Sequence, residues 1–467
     1  MRKTKIICTL GPATEKTETL RQLIAHGTDV FRVNMSHAQP DQVRDIVPRV
    51  RKLADEFHKS VGILLDTQGP AIRTGDLKTN LHLEPGDILE FTVRGAKSKE
   101  RYSVSVNYDG FADDVAVGNT ILVDNGLIKL LVLEKGRSRV RCKVLTRALL
   151  GSRRHINLPG VHVNLPPLTK KDIADVALGA ELGVDFVGLS FVRERSDIDE
   201  LRKLLEKKKS RALIVAKIED QLAVRSIDKM IESADLIMVA RGDLGIECPM
   251  EELPIIQRRI VKNCIRFSKP VVVATQMLES MITNPLPTRA EITDVANAVF
   301  EQADAIMLSG ETAIGLYPVE CVKVLNRVAM RIERSGGGGY AESALLEDAR
   351  QKTVASAVVL ANSLRNSKLI VFTRHGTMAR YVSNLRPQRA PIFAFTSSEE
   401  VYRQLAIYWG TFSVRIDFTE DPNETIESAE KFLRKNKLAM PGDHLVIISD
   451  ILAEGSRFDC VQVRTAK

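Results

Sequence analysis

Eight short apolar runs punctuate the chain: IICTL from Ile6, DVFRVN from Asp29, VGILLD from Val61, DFVGLSF from Asp185, ALIVAKIE from Ala212, LIMVARGD from Leu236, PVVVAT from Pro270 and AIMLSGE from Ala305. Short runs of uniform apolarity predict strands buried on both faces, as in a parallel sheet. Helical patterns lie between them. Leu20, Leu23 and Ile24 recur at helical spacing, and Thr288 followed by Glu291 makes a capping box ahead of Ile292, Val295, Ala296, Val299 and Phe300. The alternation predicts an α/β fold, a closed (β/α)8 TIM barrel in preference to an open sheet. Counting alone leaves a large doubly wound sheet as the alternative.

The third and fourth runs stand far apart. Between them, DILEFTV, RYSVSV, TILVDN and RVRCKVL alternate with Gly and Asn turn signals, which predicts an inserted all-β domain over 71–165. It leaves the barrel from the face where such barrels hold their sites, so a β-barrel lid is expected, with a purely structural insertion as the plainer reading. The barrel then occupies 1–70 and 166–340. After SGGGGYAES, the runs KLIVFT, PIFAFT, FSVRI and HLVIISD describe a C-terminal α/β domain over 341–467. The glycine run reads as linker, since no preceding strand or ribose-binding acid makes it a nucleotide fingerprint.

Composition narrows the function. With 44% hydrophobic and 27% charged residues the chain is globular, and no stretch approaches the roughly 20 apolar residues of a membrane span. The N-terminus reaches Gly-Pro before a signal core can form, which predicts a cytoplasmic address. The six cysteines include no CxxC, so reduced thiols are expected in place of disulfides or zinc. A net charge of +8 invites a nucleic-acid reading, but the aromatic fraction is only 5% and the charge is scattered. The dense Lys207–Arg211 stretch reads as a solvated helix end.

In a barrel, polar residues that terminate strands carry the chemistry. The second run ends Arg32, Asn34, Ser36, whose alternation allows a common direction, although an ordinary hydrogen-bonded strand end fits as well. The fifth ends Lys217, Glu219 and the sixth Arg241, Gly242, Asp243. Two carboxylates brought together repel unless a divalent cation lies between them, and oxygen donors suit Mg2+ or Mn2+; a Lys217–Glu219 salt bridge is the plainer reading. Asp66, followed by Thr67, either ligates a cation or pairs with Arg32. Thr275 ends the seventh run at the barrel mouth, where a hydroxyl can orient a proton but is a poor acid. Met277 and Met281 read as core. A metal pair with lysine and arginine, and without an activated nucleophile, is equipment for direct phosphoryl transfer.

These residues carry a resemblance. CTLGPAT, FRVNMSH, LLDTQGP, LPPLTKKD, AKIED, VARGDLG and ATQMLESM, in this order, resemble the pyruvate kinase family over essentially the whole chain. The resemblance implies phosphoryl transfer from phosphoenolpyruvate to ADP, giving ATP and pyruvate, in a cytoplasmic homotetramer. It implies that Glu219 and Asp243 bind Mg2+, that Arg32 and Lys217 hold the phosphoryl group, and that Gly242 and Asp243 bound the substrate carboxylate. Thr275 falls on the proton-delivery side. Asn34, Ser36, Asp66 and Thr67 match a K+ site, and Asn34, Ser36, His37, Arg73 and Lys171 match nucleotide contacts. Ala71 departs from the family, which has glutamate or lysine there; with no ammonium to replace the ion, K+ use is expected. Thr373, Arg374, His375, Gly376 and Thr377, at a predicted helix start, fall where family members bind phosphorylated effectors, with a plain helix start as the equal reading. The ending ISDILAEGSRFDCVQVR lacks the family's usual Gly-Thr-Thr-Asn-like close. Exchange of Lys217 for Met is expected to reduce turnover by several orders of magnitude while leaving the fold and Mg2+ binding largely intact. A metal-dependent lyase or aldolase would share Glu219 and Asp243 without Arg73 and Lys171, and a binding protein would tolerate loss of Lys217.

Overall fold

The computed structural model describes residues 1–453 and 456–466; Glu454 and Gly455, within the closing segment, and Lys467 lie outside the described residues. The eight runs form one closed parallel barrel: Lys5–Thr9, Val30–Asn34, Gly62–Asp66, Phe186–Leu189, Leu213–Ile218, Leu236–Ala240, Val271–Ala274 and Ala305–Leu308. Successive strands are neighbours, and the first pairs with the last from Lys5↔Ala305 to Cys8↔Leu308, which disposes of the open sheet. Alternation along each strand feeds two cores. Ile7, Val30, Leu64, Val215, Met238 and Val272 belong to one, while Cys8, Phe31, Leu65, Ile214, Val239 and Val273 pack in the other with the surrounding helices.

The helices follow their predicted grammar. Leu20, Leu23 and Ile24 are buried on Thr17–His26. Thr288 caps Arg289–Phe300: its hydroxyl accepts from the Glu291 N–H at 3.2 Å, and the Glu291 carboxylate accepts from the Thr288 N–H at 2.8 Å. Val295 and Val299 are buried, but Phe300 is 46% exposed because the helix ends there, and Ala298 fills the core in its place. Met277 and Met281 are core residues. The six cysteines are free and five of them are buried. Lys207 ends the helix Arg195–Lys207 with an exposed side chain.

The third and fourth strands pair directly, Leu64↔Phe186 to Asp66↔Gly188, with the whole insertion looping out between them. The insertion has its own core, in which Phe91 meets Phe111 edge to face at 5.4 Å. Its strands form a six-stranded sheet and a two-stranded one, so the expected β-barrel is not closed by strand pairing. The edge strands Tyr102–Ser105 and Ile156–Asn157 span only 4 and 2 residues, too short to pair along the gap. The outgoing connector fills it, Thr74 bridging Val106 and Arg73 bridging His155.

The C-terminal sheet uses the four predicted runs as parallel strands and adds Ser456–Thr465 antiparallel to His444–Ala453. The glycine run is a linker, and a tightly packed one: a Cβ on Gly337 would fall 2.6 Å from the Gln302 side chain. Among the described residues no helix is long and apolar enough to cross a membrane.

Candidate active site

Lys217, on the fifth barrel strand, is buried with its Nζ 2.9 Å from Glu219 Oε1, 3.2 Å from Asp66 Oδ1 and 2.8 Å from Ser190 Oγ. The salt bridge foreseen as the plainer reading is present, and it extends beyond a pair. Arg32 donates through Nε to Asp66 Oδ2 at 2.7 Å, with Nη2 2.6 Å from the same oxygen, and through Nη1 to Thr9 at 3.1 Å. One buried carboxylate therefore fastens both cations.

Electrostatics follow from this packing. Burial pushes the Asp66 carboxyl up, but Lys217 and Arg32 together outweigh it and hold the group below the ordinary range. Burial also works against the Lys217 charge, and Asp66 and Glu219 overcome it, so its pKa is raised and the ammonium persists. For Glu219 burial dominates; Lys217 opposes it, Asp243 repels, and the net shift is upward. A buried carboxyl that another carboxylate pushes up marks a place that favours added positive charge.

Glu219 and Asp243 line one cavity of about 370 Å³ together with Arg32, Asn34, Ser36, Thr67, Arg73 and Lys217. Adjacent strands deliver the pair: Glu219 directly follows Leu213–Ile218, and Asp243 sits in the first turn of Arg241–Glu247, which follows Leu236–Ala240. Among the described residues no group of three or more His, Cys, Asp or Glu side chains clusters as a metal cage. The protein supplies two hard carboxylate donors and leaves the remaining positions to substrate and water, which fits a divalent cation bound with phosphate oxygens.

Not every foreseen residue reaches this cavity. Asp66 lies beneath it, holding Arg32 and Lys217. Ser36 arrives by a different route from strand alternation, because the strand stops at Asn34 and a turn follows, with the Ser36 N–H donating to Asn34 Oδ1 at 3.1 Å. His37 is exposed on that turn and outside the lining. Lys171 is also outside it; its Nζ donates to Asp175 at 2.6 Å and to the Met35 carbonyl at 2.7 Å, so it braces the turn from behind. The Gly242 N–H donates to Thr275 Oγ1 at 2.7 Å, and that hydroxyl donates to the Ala274 carbonyl at 2.7 Å. Thr275 has φ +68, a left-handed backbone that is costly for a β-branched residue. Arg241 turns away, tied to Asp294 at 2.6 Å.

The structure adds residues the sequence reading missed. Asp124, Asn125, Arg153, Arg154 and His155 of the insertion face the same cavity, as do Ser190 and Phe191 after the fourth strand. The signal for the first group was the basic pair in GSRRHI; for the second it was the polar end of DFVGLS. In the C-terminal domain, Thr373, Arg374, His375 and Thr377 line a separate cavity of about 240 Å³ with Arg350, Phe418, Ser449 and Asp459. Gly376, at φ +81, caps the helix Thr377–Asn384.

A closed barrel with a paired-carboxylate mouth, two buried cations and an arginine-bearing lid defines a phosphoryl-transfer enzyme. Residues 1–322 match the family model "Pyruvate kinase, barrel domain" and 351–463 match "Pyruvate kinase, alpha/beta domain". The chain is 40% identical to the pyruvate kinase of Bacillus licheniformis, across 99% of this chain and 80% of that one. It is 40% identical to plastidial pyruvate kinase 3 of Arabidopsis thaliana, across 96% and 78%. The crystal structure of a pyruvate kinase from Cryptosporidium parvum superposes with a TM-score of 0.95 at 34% identity, covering 100% of this chain and 96% of the other. The chain belongs to the pyruvate kinase family. Its activity is accordingly the glycolytic transfer of a phosphoryl group from phosphoenolpyruvate to ADP, with pyruvate as product and a divalent cation required. The lyase or aldolase alternative finds no support in these relatives.

Proposed function

We propose that Glu219 and Asp243 hold Mg2+, or Mn2+ in its place, and that Lys217 and Arg32 grip the phosphoryl group as it passes from phosphoenolpyruvate to ADP. The observation that carries this reading is the Lys217 ammonium, 2.9 Å from Glu219 and 3.2 Å from Asp66 at the cavity that Asp243 shares. When bound, the cation would neutralise phosphate oxygens. Lys217 is already charged and desolvated, so it meets the migrating group without reorganisation. Arg32, fixed by Asp66, orients the phosphoryl group. Gly242 and Asp243 bound the substrate carboxylate. The Thr275 hydroxyl is committed to the Ala274 carbonyl, which supports proton delivery to the enolate through water rather than from the hydroxyl itself.

On the nucleotide side the reading assigns Asn34, Ser36, His37 and Arg73, with Arg153 and Arg154 brought by the lid and Lys171 bracing the turn. The lid excludes water, which protects the phosphoryl group from hydrolysis. K+ is assigned to Asn34, Ser36, Asp66 and Thr67; Ala71 lines the cavity without contributing a charge. The cavity of Thr373, Arg374, His375 and Thr377, with Gly376 capping the helix beside it, is assigned to a phosphorylated effector, supported by Arg350 and Arg374 at its wall. We place the functional units at 1–70 with 166–340, 71–165 and 341–467. A homotetramer is the assembly that the family resemblance implies. The free cysteines support a reducing, cytoplasmic setting.

The test is a coupled assay of pyruvate formation from phosphoenolpyruvate and ADP, with Mg2+, K+ and sugar phosphates varied in turn. Strict dependence on ADP and the divalent cation is expected, with a clear drop when K+ is omitted. Equal rates in K+-free buffer would remove the K+ assignment, and pyruvate formation without ADP would remove the reading itself.

A further inference from the structure

Phe191 follows the fourth barrel strand with φ +54, a backbone conformation rare for a bulky side chain. It stands between the site cavity and a smaller cavity of about 80 Å³ under the lid connectors, and lines both. Its ring centre lies 5.9 Å from the imidazole of His155, on the returning connector. On the outgoing side it fills the notch at Gly69, where a Cβ would fall 2.7 Å from the ring. That notch is rigid, because the N–H groups of Gln68 and Gly69 donate to one Asp172 oxygen at 3.0 and 3.1 Å. One aromatic ring therefore touches both chains that carry the lid. The N–H of the same residue donates to Glu219 Oε2 at 2.6 Å, and Lys217 takes the other oxygen at 2.9 Å.

We propose that Phe191 is a positioning residue that couples the placement of the lid to the orientation of the Glu219 carboxylate, with His155 as the lid's contact on the ring. This rests on the reading of Glu219 as a cation ligand. A ring wedged between two connectors shifts when they move, and a carboxylate held by that residue's own N–H turns with it. Burial holds the His155 imidazole below its ordinary value against the pull of Asp243, with Arg73 adding to the shift, which disfavours a charged ring beside Phe191.

The test uses the full chain, with Mn2+ affinity read by electron paramagnetic resonance and hydrogen exchange read over the connectors 70–74 and 155–158. In the native chain, Mn2+ with phosphoenolpyruvate is expected to slow exchange in both connectors. His155→Ala should abolish that protection, weaken Mn2+ about tenfold and lower kcat more than it changes the KM for ADP, and His155→Phe should restore all three. Phe191→Ala should act as His155→Ala does; His155→Ala, made from the lid side, keeps the test decisive where Phe191→Ala fails to fold. Connectors protected by Mn2+ equally in His155→Ala and native protein would overturn the coupling alone. Mn2+ affinity unchanged in Glu219→Gln would overturn the ligand reading and the coupling with it.

Discussion

Glu247 ends the short helix that carries Asp243 in its first turn, and Asn157, in the insertion's edge strand Ile156–Asn157, donates to it at 3.0 Å. Burial pushes this carboxyl from an ordinary value of 4.5 up to about 7; the Asn157 amide opposes the shift, and Asp220 and Asp243 add to it. The folded state thus holds the proton more tightly than the unfolded chain. Its stability contribution is full below about 4.5 and is lost as pH rises through about 7. Glu247→Gln keeps an acceptor for Asn157 and cannot ionise. Its Tm should exceed that of the native chain at pH 8, by an amount equivalent to about 1–3 kcal/mol, and the gap should close by about pH 4. Equal melting at pH 8 would contradict the buried-carboxyl argument. Lys217 teaches the opposite lesson. From the sequence alone Lys217→Met is expected to spare the fold, but the ammonium is the counterion of two buried carboxylates, Asp66 and Glu219. The variant should lose turnover by about a thousandfold or more and also melt earlier, since uncompensated buried charge is costly. A Tm unchanged from native would show that Asp66 and Glu219 do not need this counterion.

At the level of elements, the cap at Thr288 does more than start a helix. Glu291, its reciprocal partner, also accepts from the N–H of Ser280 at 2.7 Å, so the box ties Arg289–Phe300 to the turn Glu279–Ile282 after the seventh strand. Thr288→Ala should cost about 1 kcal/mol, read as a lower urea midpoint at unchanged slope. This box was legible in the sequence because it is local. The barrel strands were legible for a related reason: buried on both faces, they are uniformly apolar and need no partner to be recognised. The last strand, Ser456–Thr465, was not, because an edge strand with Arg457, Asp459, Gln462 and Arg464 carries no such signature. Motif spacing brought Lys217, Glu219 and Asp243 to one cavity correctly, since adjacent strand ends leave little freedom. It did not foresee that Lys171 spans from Asp175 to the Met35 carbonyl beside that cavity, because how a helix presents its first residues depends on the turn packed against it. Arg153 and Arg154 were overlooked because the basic pair in GSRRHI marks them as candidates without saying what they face; contact between an insertion and the barrel is a tertiary fact.

Across the molecule, the lid has a core of its own, whereas the barrel interior does not end at the barrel. The cluster that contains Ile7, Val30, Leu64 and Met307 continues into Val354, Leu369, Ile392 and Val446 of the C-terminal domain. These two units therefore share one hydrophobic core. At their junction Arg386, 2% exposed, donates to Asp304 at 2.7 Å, to the Gln302 carbonyl at 3.0 Å and to the Ser383 carbonyl at 2.8 Å. Asp304 also accepts from the backbone N–H groups of Trp409 and Val271, so one carboxylate joins the start of a barrel strand to the C-terminal domain. Arg386 stacks 5.2 Å from the Trp409 ring. Arg386→Met keeps much of the volume but leaves Asp304 buried without its cation, a loss of about 3–5 kcal/mol. That loss falls on the junction, so the domains should part before either unfolds. The chain's single tryptophan reports on this contact. In the native protein, Trp409 fluorescence and far-UV circular dichroism should change together with urea; in Arg386→Met the fluorescence should shift at lower urea than the ellipticity. Coincident curves in the variant would mean that the shared apolar core alone holds the domains together and that the ion pair contributes nothing to their docking.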